Sequence, residues 1–157
     1  MEDIISTAIY SCLGIVLMML GTFLVDLVIP CHFPTEIKKR NVSVGYLTAG
    51  VSIAVGIILK SAVMSPAVEA VEQSLIQGIG STVLYFIIGI VFCILGYLIL
   101  NIFNTKYDLN KEIGEGNPAA GIMVMGMFIG LALVISGVIY LFIAIKDEDV
   151  NVEIAFN

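Results

Sequence analysis

Residues 118–145 read PAAGIMVMGMFIGLALVISGVIYLFIAI, a run of 28 positions without a charged side chain. An α-helix rises about 1.5 Å per residue, so roughly 20 apolar residues cross a hydrocarbon core about 30 Å thick. Working outward from this run, three others have the same character. Residues 4–29 are broken only by Asp26, residues 42–63 only by Lys60, and residues 78–103 by no charge. No water in lipid can satisfy a broken backbone, so each run predicts a continuous helix. The first is too long for a signal-peptide core of about 7–15 residues and is led by Glu2 and Asp3 rather than by basic residues, which predicts a retained span. The expected fold is all-α integral membrane, with four transmembrane helices.

Composition agrees. Hydrophobic residues make up 59% of the 157, charged residues 13%, and mean hydropathy is +1.07. Soluble domains carry about 45–50% and 25%, and one of this size could not bury the excess. The net charge of −6 is gathered in short segments between the runs, and no basic stripe with interleaved aromatics points to nucleic acid. Cys12 and Cys93 lie in apolar runs as small hydrophobes. Cys31 beside His32 falls short of the roughly four ligands zinc wants, so neither metal nor cofactor is expected. Without a nucleophile–base pair or a phosphate-binding glycine loop, no enzyme is indicated.

Four spans place both termini on one side. The opposite loops carry Lys38, Lys39, Arg40, Lys106 and Lys111, against Lys60 and Lys146 on the side of the termini. The positive-inside rule puts the two loops in the cytoplasm and both termini outside a bacterial inner membrane. Between the second and third spans, residues 64–78 predict a short amphipathic helix on the outer surface, capped by Ser65 with Pro66 at its first position. Residues 146–157 form an acidic tail whose Val150, Val152, Ile154 and Phe156 alternate like a short strand or partner-binding segment, though a loosely ordered end is the commoner outcome.

The chain repeats itself. Ser6-Thr7-Ala8-Ile9-Tyr10 recurs as Ser81-Thr82-Val83-Leu84-Tyr85; Gly14 and Gly21 meet Gly89 and Gly96; Asp26 meets Asn101. After a one-residue shift Glu36-Ile37 meets Glu112-Ile113, Asn41 meets Asn117, Gly45 meets Gly121, and Gly50 meets Gly126. Repeat one is placed at 4–63 and repeat two at 79–145. Each holds two spans and enters the membrane from the same side, so the repeats run parallel and are related by an axis along the membrane normal.

The segment Asn117-Pro118-Ala119-Ala120-Gly121 followed by Gly126, with its partial copy Asn41-Val42-Ser43-Val44-Gly45 followed by Gly50, resembles the YjfL-like family of bacterial inner-membrane proteins, the domain of unknown function 350. The resemblance implies a four-span inner-membrane protein and carries over no catalytic residue.

Three groups of residues are singled out. Asn41 and Asn117 stand at helix N-cap positions; with Lys38, Lys39, Arg40 and Lys111 nearby they form a candidate site for an anion or a lipid phosphate. Asp26 is the only acid within a span and so a functional candidate by default, although its counterpart is the neutral Asn101. Gly45, Ala49, Ser52 and Gly56 form one stripe on the second span, Gly50 marks a neighbouring face, and Gly121, Gly126, Gly130 and Gly137 mark the fourth. Small residues let helices approach closely in lipid, within a chain or between copies. The expected function is a non-catalytic, multi-pass homo-oligomer with a structural or accessory role in the envelope. It would contact lipid, and protein partners at the loops or the outer tail. The alternative is an oligomeric channel or small transporter lined by Thr48, Ser52 or Asn101.

Overall fold

The computed structural model describes the backbone of residues 2–68 and 75–155, and side chains over the greater part of residues 4–141. Six helices follow in order: α1 (Glu2–Val28), α2 (Phe33–Lys38), α3 (Val42–Val68), α4 (Leu75–Phe103), α5 (Leu109–Gly114) and α6 (Pro118–Ala155). The four long helices are each apolar and long enough to span a bilayer. They are apolar all round rather than amphipathic, as expected where the surroundings are lipid instead of water. Large side chains such as Ile15, Phe92 and Val134 are accordingly exposed on their outer faces.

α3 and α6, the second helices of the two repeats, share the largest interface; α4 packs on both, and α1 on α3 and α4. Glycine makes that interface possible at two points. A Cβ on Gly121 would lie 2.5 Å from the Ser43 carbonyl oxygen and 2.7 Å from its Cα. A Cβ on Gly50 would lie 2.7 Å from the Met125 Cα. Val44, Leu47, Val51, Val124, Phe128 and Ala132 fill the seam. Toward the end opposite the loops, Ser61 Oγ donates to the Ile57 carbonyl at 3.2 Å, and the Ser61 and Ser136 hydroxyls meet across the helices.

Two local expectations change. Ser65 and Pro66 do not begin a new helix, because α3 continues through them to Val68. The apolar run 62–64 gives no reason to stop, and a proline so close to a helix end forfeits a single backbone bond. Of the rest of the expected surface helix, residues 69–74 lie outside the described residues and residues 75–78 form the start of α4. The acidic tail is helical through Ala155 rather than a strand or a loosely ordered end, and Phe156 lies outside the described residues. Continuing a helix already nucleated adds a bond per residue, whereas a lone strand has no partner to bond.

Candidate functional site

At the basic end of the bundle both repeats build the same device. α2 and α5 are six-residue helices, and each ends in a left-handed residue: Arg40 at φ 61° and Gly116 at φ 84°. The next residue is Asn41 in one repeat and Asn117 in the other. The Asn41 amide donates to the Glu36 carbonyl at 3.0 Å and the Arg40 amide to Ile37 at 2.9 Å. In repeat two, Asn117 bonds Glu112 at 3.0 Å and Gly116 bonds Ile113 at 3.1 Å. This 6→1 and 5→2 pair is a Schellman ending.

The same asparagine then opens the following helix. Asn41 Oδ1 accepts from the Val44 amide at 3.1 Å, and Asn117 Oδ1 from the Ala119 amide at 3.0 Å. Each carboxamide nitrogen is turned back to a glutamate: Asn41 Nδ2 to Glu36 Oε2 at 3.1 Å, Asn117 Nδ2 to Glu112 Oε2 at 2.6 Å. One asparagine thus closes one helix, caps the next and holds a carboxylate. Asn41 also reaches across the repeats, with Nδ2 2.9 Å from the Ile113 carbonyl and 3.2 Å from that of Gly114.

The left-handed position separates the copies. A non-glycine residue there carries a steric cost of about 1–2 kcal/mol. Arg40→Gly is therefore expected to stabilise the fold by about 1 kcal/mol, and Gly116→Ala to destabilise it by a similar amount. Thermal unfolding in detergent measures both.

Asp26 belongs to this end as well. Its Oδ1 accepts from the Phe33 amide at 2.6 Å, so it caps the start of α2 from the last turn of α1. His32, at the α2 cap position, makes no side-chain cap bond. The corresponding residue in repeat two is Asp108, which caps α5 itself by accepting from the Lys111 amide at 3.2 Å. A cap carboxylate is present in both repeats but comes from different places. With Asp108 in position, the residue aligned with Asp26 is free to be the neutral, half-buried Asn101.

An open cavity of about 600 Å³ lies beside α2, lined by Asp26, Cys31, His32, Thr35, Glu36 and Lys39 among others. Burial, helped by the charges of Glu36 and Asp26, pushes the Cys31 thiol up to about 11, which makes it a poor nucleophile. Among the described residues no three of His, Cys, Asp and Glu converge as metal ligands. Lys39 pairs with Glu36 at 2.7 Å and Lys111 with Glu115 at 3.8 Å, while Lys38 and Arg40 are exposed.

Hydrogen bonds from Lys39 and then Asn41 hold the Glu36 carboxyl below its ordinary value of 4.5. A depressed folded-state pKa lends stability that is present above the ordinary value and lost as pH falls through the lower one. Acid titration of stability should show that loss, and Glu36→Gln should abolish it.

The small-residue positions divide. Gly50 and Gly121 pack against backbone; Gly56 meets the tip of Met18 at 3.2 Å. Around Gly45, Gly126, Gly130 and Gly137 nothing lies within 4 Å of where a Cβ would be. Ala49 is exposed and Ser52 half-buried; the Thr48 and Ser52 hydroxyls donate to carbonyls of their own helix. Sequence reading did not foresee α2 and α5, although Pro34, Asp108 and the aligned Glu36 and Glu112 are start signals for short helices.

A UPF0719 transmembrane protein of Aquifex aeolicus (strain VF5) is 28% identical over 133 residues, which are 84% of this chain and 48% of that protein. The chain thus spans about half the length of this relative. No solved structure matches. The model of the domain of unknown function DUF350 matches twice, over residues 1–74 and 74–147. The first match takes in α1, α2 and α3, and the second α4, α5 and α6 as far as residue 147. The chain is a multi-pass membrane protein that belongs to the DUF350 family, two copies of the domain standing in tandem.

Proposed function

We propose that the protein is a non-catalytic component of the inner membrane, with both termini outside the cytoplasm, that self-associates through small-residue helix faces and serves a structural or accessory role in the envelope. The supporting observation is the set of open glycines. Gly126, Gly130 and Gly137 line the exposed side of α6, and Gly45 the exposed side of α3, with no neighbour in the chain that excludes a side chain. Glycine costs a helix about 1 kcal/mol relative to alanine, and helices in lipid associate where small residues let backbones meet. Lys38, Lys39, Arg40 and Lys111, set around the asparagine caps, give the basic end its contact with anionic lipid. If Asn41→Ala and Asn117→Ala together leave binding to anionic vesicles unchanged, the caps have no part in that contact.

The mass of the protein extracted into lipid nanodiscs tests the reading. The wild type is expected to be oligomeric, and Gly126→Leu with Gly130→Leu to reduce it to a single chain. A monomeric wild type at every protein concentration would sink it. Ion flux through liposomes carrying the oligomer would replace it with the channel reading.

A further inference from the structure

We propose that copies of this chain join head to tail: the exposed face of α6 of one copy seats in the groove between α1 and α3 of the next, as α3 seats against α4 and α6 within the chain. This rests on the self-association proposed above and specifies its surfaces.

The first support is how the repeats are related. Residues on α1 correspond to those on α4 75 positions later, and residues from α2 and α3 to those 76 later. Under a twofold axis, the packing of α4 on α3 would be matched by equal packing of α1 on α6. It is not: α3 and α4 pack closely, while α1 and α6 have no comparable contact. The two repeats therefore meet through different surfaces, and a heterologous contact leaves one half of itself unused at each end.

Burial locates the unused halves. Ile58 on the packed face of α3 is 1% exposed, while its counterpart Val134 on α6 is 65% exposed. On the receiving side Ile90 of α4 is 3% exposed and Ile15 of α1 61%; Ile113 is 0% and Ile37 51%. Each pair has the same residue type or one methylene's difference, and only the repeat that lacks a neighbour leaves its member open. The groove between α1 and α3, about 540 Å³ and lined by Tyr10, Ser11, Gly56 and Lys60 among others, corresponds to the groove of repeat two that α3 occupies.

The glycines follow the same rule. Within the chain Gly50 packs on Met125, Gly121 on Ser43, and Gly89 on Ile58, each closer than a Cβ allows. Carried forward by one repeat, these contacts become Gly126 on Ala49, Gly45 on Ala119, and Gly14 on Val134, each between two copies. In every pair the glycine recurs on the same side. Yet within the chain a Cβ on Gly126 or Gly45 would meet nothing within 4 Å, and one on Gly14 only the tip of Leu59 at 3.9 Å. The Ser61–Ser136 meeting maps onto Gly137 and Lys60, where the missing side chain leaves room for the lysine. Repetition of one heterologous step gives a closed ring or an open row, according to the rotation per step.

Disulfide trapping in native membranes tests this in a background with Cys12, Cys31 and Cys93 replaced by serine. Lys60→Cys and Gly137→Cys are both at open positions and correspond to Ser136 and Ser61, whose side chains meet within the chain. Coexpressed on separate chains, they are expected to form a covalent pair, while either expressed alone forms none. A chain carrying both is expected to give a ladder of multimers. Pairs formed by either single variant alone would show a twofold interface and overturn the head-to-tail assignment. Uncrosslinked protein is weighed in parallel. An oligomeric mass without these links overturns this inference alone, whereas a monomeric mass overturns self-association as well.

Discussion

Gly121→Ala is expected to lower stability by about 1–3 kcal/mol, the range of overpacking in a filled core, while Gly126→Ala raises it by up to about 0.8 kcal/mol through helix propensity. The two glycines are five residues apart on one helix, and the substitution is identical. What differs is the opposite surface. The new methyl at 121 would fall 2.5 Å from the Ser43 carbonyl oxygen and 2.9 Å from the carbonyl carbon, both backbone atoms of α3. No rotamer change relieves that contact, so the helices must separate along a seam in which Val44, Leu47, Val124 and Phe128 are fully buried. At 126 the methyl enters open space. Gly50→Ala, against the Met125 Cα at 2.7 Å, should behave as Gly121→Ala does. Cys93, 3% exposed on α4, supplies the measurement. With Cys12 and Cys31 replaced by serine, the temperature at which a maleimide dye labels Cys93 reports the opening of the bundle. The assay belongs in a detergent that keeps the chain monomeric, so that contacts between copies do not enter. Equal shifts for the two variants would contradict the close approach of α3 and α6.

The spans and the duplication were legible because each rests on a signal longer than the structure it specifies. Twenty uncharged residues have few alternatives to a membrane helix, and polar matches such as Ser6-Thr7 with Ser81-Thr82 do not arise from apolar composition alone. The caps at Asn41 and Asn117 were legible for a similar reason, since the residue type, the following Pro118 and the start of an apolar run agree. The six-residue helices α2 and α5 were not, because less than two turns contain no period to read. The arrangement of the repeats was half legible. Two spans per repeat, an even number, require an upright axis, but nothing in the alignment states the rotation about it. That angle decides whether Gly45 or Gly50 faces α6, and both are glycines in equivalent surroundings of sequence. Only the observed packing of α4, without a matching α1, separates the two faces.

Asp26 is where sequence and structure differ most about meaning, and its replacement carries the second large effect. An acid inside a span reads as a functional group. Its carboxylate, however, accepts the Phe33 amide at 2.6 Å, the first amide of α2, next to a histidine cap that offers no bond. Asp26→Ala is expected to cost about 1–3 kcal/mol, the scale for leaving such a donor unsatisfied. Asp26→Asn should cost less, because an amide oxygen still accepts. The decisive variant is the second one. Asp108 caps α5 from the position that His32 holds in repeat one, so His32→Asp is expected to restore most of what Asp26→Ala removes. The Cys93 labelling temperature measures both. Recovery in the double variant would show that repeat one needs a carboxylate at the start of α2, from either source. A double variant no more stable than Asp26→Ala would mean that the carboxylate matters for its place in α1. Asp26 would then regain its claim to a role that Asn101 cannot share.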